Sequence, residues 1–208
     1  MTLVLDGLEK VPPGSLAMAL FAALGTLPAT TDIITVVPWH LAFGPHAVEP
    51  LVRAGECFVA VRALEVDGER GEPGRAFLRA ILERRLGMVV SPEAVLLVMQ
   101  AAVLSGGSVR TFLQLMAGAG TYARLRRTGL WPDAEDLAGV VAAHRDSLQR
   151  ILLPGDRAIL ADFDGTDGIE MEPGTRVRML AHGMLLERVQ NARVVLQMNP
   201  LLCIPVHA

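Results

Sequence analysis

Apolar and polar positions alternate between two kinds of rhythm along this chain. Leu3-Val4-Leu5 is a short apolar run that ends in Asp6, which predicts a strand over 2–5. Ser15–Leu24 is apolar on every face, as in a helix buried against a sheet. Asp32–Pro38 is a continuous β-branched run, the pattern of a strand covered on both faces, and Cys57–Leu64 is a further candidate strand. Strand, helix and strand with short links predict a parallel α/β layer. From Pro73 the period becomes helical. Phe77, Leu78, Ile81, Leu82 and Leu86 repeat at helix spacing over 74–86. Ser91-Pro92 opens a helix to about Leu104, since serine caps and proline suits the first helical position. Ser105-Gly106-Gly107-Ser108 breaks that helix, and Ser108 caps the next, to about Arg127. Another helix spans 133–152, and Pro154-Gly155 marks a boundary. Short helices over 156–162 and 174–183 precede two alternating runs, 184–189 and 193–198, which form a β-hairpin through Gln190-Asn191-Ala192. Helices followed by a hairpin suggest a winged helix.

These patterns divide the chain at about 90 and 153, into an α/β part, a helical bundle and a small α+β end. At 208 residues, half of them hydrophobic, a sizeable core is available. No stretch reads as a membrane span: the longest charge-free segment, Val11–Thr31, is interrupted by prolines and glycines. The start has no basic leader pattern, and Cys57 and Cys203 imply no disulfide framework, so a cytoplasmic protein is expected. Net charge is −3, which supplies no global field for nucleic acid.

Leu3-Val4-Leu5-Asp6-Gly7-Leu8-Glu9-Lys10 has the form of a Walker B strand, in which a buried strand delivers a carboxylate to magnesium and a second acid stands near the attacking water. The single lysine, Lys10, lies in no glycine-rich loop, so no stretch here matches a phosphate-gripping P-loop. After this strand come Val37-Pro38-Trp39-His40, the helix ending Glu83-Arg84-Arg85-Leu86, the Ser105-Gly106-Gly107-Ser108-Val109-Arg110 turn, Leu185-Leu186-Glu187-Arg188 and Asn199-Pro200-Leu201-Leu202. In that order the chain resembles the C-terminal half of prokaryotic AAA-type and STAND-like P-loop ATPases. The resemblance covers nearly the whole chain. It implies a partial α/β P-loop NTPase core over 1–90, an α-helical lid over 91–153 and a winged-helix-like α+β end over 154–208.

The same resemblance implies roles. Asp6 would hold magnesium, and Glu9 would orient or activate the attacking water. His40 matches a polar sensor of the γ-phosphate, Arg110 matches the nucleotide-sensing lid arginine, and Arg84 or Arg85 matches an arginine finger toward a neighbour. ATP and Mg²⁺ are expected only with a P-loop half supplied from elsewhere, and hydrolysis by this chain alone is not expected. Two departures stand out: the P-loop half is absent, and Glu9 is followed by Lys10, nearer to the acid-then-basic ending of KAP-like ATPases. A protein partner or homo-oligomer is therefore expected, with no membrane association. A non-enzymatic scaffold of the same fold is the alternative. A winged-helix DNA binder ranks below both, with Arg176, Arg178, Arg188 and Arg193 as its candidate basic residues.

Ile159–Thr166 (ILADFDGT) imitates the first motif of haloacid-dehalogenase-type phosphatases. Such an enzyme needs further magnesium carboxylates, but after Asp167 the acids are only Glu170, Glu172 and Glu187. The spacing of Asp162, Asp164 and Asp167 does not fit a calcium loop either. A polar loop is the expected role.

Overall fold

A computed structural model describes residues 2–5, 15–24, 26–28, 30, 32–35, 62–126, 131–163, 171–190 and 193–202. Within it the chain gathers into two compact units: residues 1–60 with 170–183, and residues 61–169 with 184–208.

In the first unit, β1 (Thr2–Leu5) and β2 (Asp32–Thr35) pair in parallel, with Thr2 opposite Asp32, Val4 opposite Ile34 and Leu5 opposite Thr35. Helix α1 (Ser15–Leu24) lies between them in the chain; the apolar run predicts the helix but also its burial, and Ala19, Ala22 and Ala23 are exposed. The Thr26 hydroxyl donates to the Ala23 carbonyl at 2.7 Å, occupying one of the last carbonyls of that helix. Val4 and Ile34 share one face of the pair and are 66% and 61% exposed.

The second unit is built on four helices: α2 (Glu72–Leu86), α3 (Pro92–Leu104), α4 (Val109–Arg126) and α5 (Ala134–Arg150). On α4 the buried positions Phe112, Leu115, Met116, Ala119 and Ala123 keep the helical repeat of one apolar stripe. That stripe meets Leu78 and Leu82 of α2, Leu97 and Val98 of α3, and Leu137 and Val140 of α5 in one core. Helix α2 thus packs with the bundle, across the boundary that composition suggests at 90. Helices α4 and α5 approach closely at their glycines. A Cβ on Gly118 would stand 2.8 Å from Val140, and one on Gly139 would stand 2.9 Å from Tyr122.

The short helix α6 (Pro154–Ala161) follows. Pro154 begins this helix instead of marking a boundary, because the missing N–H is an orphan at that position anyway. Of the phosphatase-like motif, Ile159, Leu160 and Ala161 end α6, Asp162 and Phe163 lie just beyond it, and residues 164–166 fall outside the described residues. Helix α7 (Pro173–Ala181) belongs to the first unit. Strands β3 (Leu185–Gln190) and β4 (Arg193–Met198) make the expected antiparallel hairpin in the second unit. A 3₁₀ turn, Pro200–Leu202, then places Leu201 in the bundle core.

The candidate strand 57–64 is described only from Arg62. There Ala63 bridges Arg188 of β3 in parallel, and its N–H donates to the Glu187 carbonyl at 2.9 Å. This end of the run therefore belongs with the hairpin, where the pattern predicts a place in the parallel layer.

Candidate functional site

In a parallel pair linked through a helix, both strands end on the same side, and ligands of such folds bind beyond those carboxyl ends. Leu5 and Thr35 are level with one another at that end. Asp6 is the next residue after β1, and His40 follows β2 by a few positions. Asp6, Glu9 and His40 themselves lie outside the described residues.

The three candidate arginines belong to the second unit. Arg84 and Arg85 are exposed in the last turn of α2, where positive charge complements the helix dipole. Arg110 is exposed in the first turn of α4. A cation there opposes the helix dipole. Directly before it, Ser108 accepts from the Thr111 N–H at 3.3 Å and from the Thr111 hydroxyl at 3.1 Å, the expected cap. Gly106 and Gly107 adopt φ of +61° and +81°. The Leu64 N–H donates to the Gly107 carbonyl at 3.0 Å. The turn that launches Arg110 is thereby fixed to the segment at 62–66.

A second cluster escapes motif reading. Arg188 is buried, with its side chain 7% exposed. Its Nη1 donates to Asp67 Oδ2 at 2.6 Å and its Nη2 to the Gly106 carbonyl at 3.0 Å. Gln197 Nε2 also donates to Asp67, at 3.3 Å. In the structure Leu186 and Arg188 share a face of β3, and Leu186 abuts Gly106. Arg188 is accordingly withdrawn from the candidate basic wing, because a buried, ion-paired guanidinium is unavailable to phosphates. Arg176 of α7 remains exposed.

A third group surrounds Arg126. Its Nη2 donates to Asp133 at 2.6 Å, its Nη1 pairs with Glu135, and its Nε stands 2.9 Å from Asp136 Oδ1. That last contact is electrostatic and off the hydrogen-bond line. The Asp136 amide, together with the Arg126 charge, holds the Asp133 carboxyl below its ordinary range. Asp133 and Asp136 form a reciprocal capping box on α5. These groups are committed to structure.

Helices α2 and α3 border a shallow depression of about 350 Å³ lined by Glu72, Ala76, Arg79, Glu83, Val95 and Met99. Two of its charges, Arg79 and Glu83, are engaged with each other. Arg79 Nε donates to Glu83 Oε1 at 2.9 Å, and the Val90 N–H donates to the same oxygen at 3.1 Å. Both contacts lower the Glu83 pKa, Arg79 more than Val90, which makes it a poor proton donor near neutrality.

Among the described residues no three His, Cys, Asp or Glu side chains form a group that could hold a metal ion. No helix among them is long and apolar enough to cross a membrane. Comparison with protein-family models, curated proteins and solved structures found no match to this chain.

Proposed function

We propose that this chain is an ATPase-derived regulatory and interaction module: a partial α/β P-loop NTPase core, a helical lid and a winged-helix-like end. It would bind nucleotide only with a P-loop half supplied by another chain or by sequence outside these residues. The observation that carries this reading is the parallel β1–α1–β2 unit whose first strand runs directly into Asp6. A carboxylate at the carboxyl end of an apolar parallel strand is the arrangement that magnesium–phosphate chemistry uses. By the resemblance, Asp6 would hold Mg²⁺, Glu9 would orient water and His40 would sense the γ-phosphate, while Arg110 would have the role of the nucleotide-sensing lid arginine. Arg84 or Arg85 would reach a neighbouring subunit. ATP with Mg²⁺ would supply the electrostatic signal, and Arg110, at the start of α4, would couple it to the helices.

The test is a titration of a fluorescent ATP analogue with Mg²⁺. The full chain is titrated alone and with each P-loop protein encoded beside it. Binding is expected only in a mixture, abolished by Asp6→Ala and weakened by Arg110→Ala. Silence in every mixture would sink the nucleotide reading. Tight binding by the chain alone would overturn its dependence on a partner.

The paired, exposed Val4 and Ile34 favour a second reading, a scaffold that uses the same fold for protein contact. Parallel sheets are ordinarily covered on both faces, so a bare apolar face is matched to a protein or a second copy. Light scattering of the chain and of Val4→Asp distinguishes these: a self-association lost in the variant identifies the second copy.

A further inference from the structure

Three stretches distant in sequence meet at Arg188. The first is the loop before α2, where Arg75 Nη1 bridges the carbonyls of Val66 and Gly68 at 2.5 and 2.8 Å and so fixes the backbone on either side of Asp67. The second is the Gly106-Gly107 turn that launches α4, and the third is the β3–β4 hairpin. The Arg188 guanidinium joins all three through Asp67 and the Gly106 carbonyl, and Gln197 of β4 adds its donor to Asp67. The backbone repeats the connection, through Ala63 N–H to the Glu187 carbonyl and Leu64 N–H to the Gly107 carbonyl.

We infer that Arg188, Asp67 and Gly106 form a latch that makes the hairpin, the segment 62–67 and the α4-launching turn open and close as one cooperative element. Two features make the latch all-or-none. Arg188 is buried with its Nε unpartnered, and among the described residues Asp67 is the carboxylate that pairs with it, so Asp67 carries much of the compensation for the buried charge. Removing that carboxylate strands the charge, and only release of the hairpin returns it to water. Gly107 also approaches Leu64 with no room for a Cβ, so the turn cannot slide while the segment stays in place. The Asp67 side chain is 45% exposed, which leaves the anchor of the latch within reach of a competing cation from a partner. The latch rests on the nucleotide reading only for what the α4 turn would sense. Under that reading it is the route from Arg110 to the hairpin.

Native-state hydrogen exchange of the full chain without nucleotide tests the latch separately from the binding titration. In the wild type the amides of Ala63 and Leu64 are expected to exchange at the rate of the hairpin amides. Asp67→Asn should speed all of them together by at least about tenfold, the loss expected of a hydrogen bond to a charged group. The amide of Val140 in α5 should keep its rate. Arg188→Met, which removes the charge without stranding it, should have the smaller effect. Faster exchange in the hairpin with Leu64 unchanged would overturn the latch, and so would no change anywhere in Asp67→Asn. Should Asp67→Asn fail to fold, Gln197→Met removes a single hydrogen bond. A rise of about threefold shared by the three segments supports the latch, and one confined to β4 refutes it.

Discussion

The carbonyl of Gly107 accepts the Leu64 N–H at 3.0 Å, while the carbonyl of Leu64 occupies the place a Cβ on Gly107 would take, 1.9 Å away. Gly107 also holds a φ of +81°. Gly107→Ala is therefore expected to destabilise the protein by about 2 kcal/mol or more, through both strain and displacement. Gly68 has a positive φ too, but open space around it. Gly68→Ala should cost only about 1 kcal/mol. Urea unfolding of the two variants compares them, and equal losses would show that the close approach contributes nothing.

Leu201 is the residue that fastens the end of the hairpin to the bundle. It is 1% exposed, its N–H donates to Asn199 Oδ1 at 2.9 Å, and its carbonyl accepts from Arg145 Nε at 3.0 Å. Leu201→Ala should lower unfolding free energy by about 2–5 kcal/mol, the range for a truncated core leucine. Val194, exposed on β4, should tolerate alanine with a loss below about 1 kcal/mol.

Helix α5 depends on its capping box. Asp136 has a fully buried side chain that accepts from the Asp133 N–H at 3.0 Å. Asp136→Ala removes that acceptor and leaves Arg126 short of one counter-charge. A loss of about 1–3 kcal/mol is expected in thermal unfolding. A variant as stable as the wild type would show that the box is incidental.

Glu172 caps α7. It accepts from the N–H groups of Gly174 and Thr175 at 2.9 and 2.8 Å, and these hold its pKa below the ordinary 4.5. A depressed folded pKa means that the unfolded chain takes up its proton first as pH falls. The stabilisation is present above pH 4.5 and is lost as pH falls through the lower folded value. The protection of the Thr175 amide, the slowing of its exchange relative to an unstructured peptide at the same pH, should therefore fall on acidification from neutrality to about pH 3, and Glu172→Gln should remove that dependence.

The helices of the second unit were written plainly in the sequence, because each has its own local signals. Ser91-Pro92, Ser108 and Trp131-Pro132-Asp133 precede helices that begin within a residue or two of them, and Gly87 closes α2 with a φ of +66°. The hairpin followed from alternation alone. The run at 57–64 was harder, because β propensity does not name a partner strand. Its end pairs with a strand more than a hundred residues later, and no local pattern encodes that choice.

The candidate site was legible in a different measure. Motif order singled out Arg84, Arg85 and Arg110, which lie at helix ends, and their roles stand as proposals. Asp6, Glu9 and His40 fall outside the described residues. The Arg188–Asp67 pair was invisible as a motif. Its members sit on a loop and a strand, and an arginine in a polar-apolar alternation reads as solvent-facing until its neighbours are known. The burial of Arg188 weakens the nucleic-acid alternative that the sequence had left open.

Neither compact unit is contiguous in the chain. The first takes residues 1–60 and then 170–183, and the second takes 61–169 and then 184–208. On the ribosome the opening βαβ segment therefore emerges long before α7, the helix that completes its unit. The bundle likewise emerges before Leu201, which fills its core. Each unit must wait, partly formed, while the other is being made. Apolar surfaces that the finished protein covers are open during that interval, and such surfaces are where chaperones bind. For the same reason no single cut through this chain releases either unit whole.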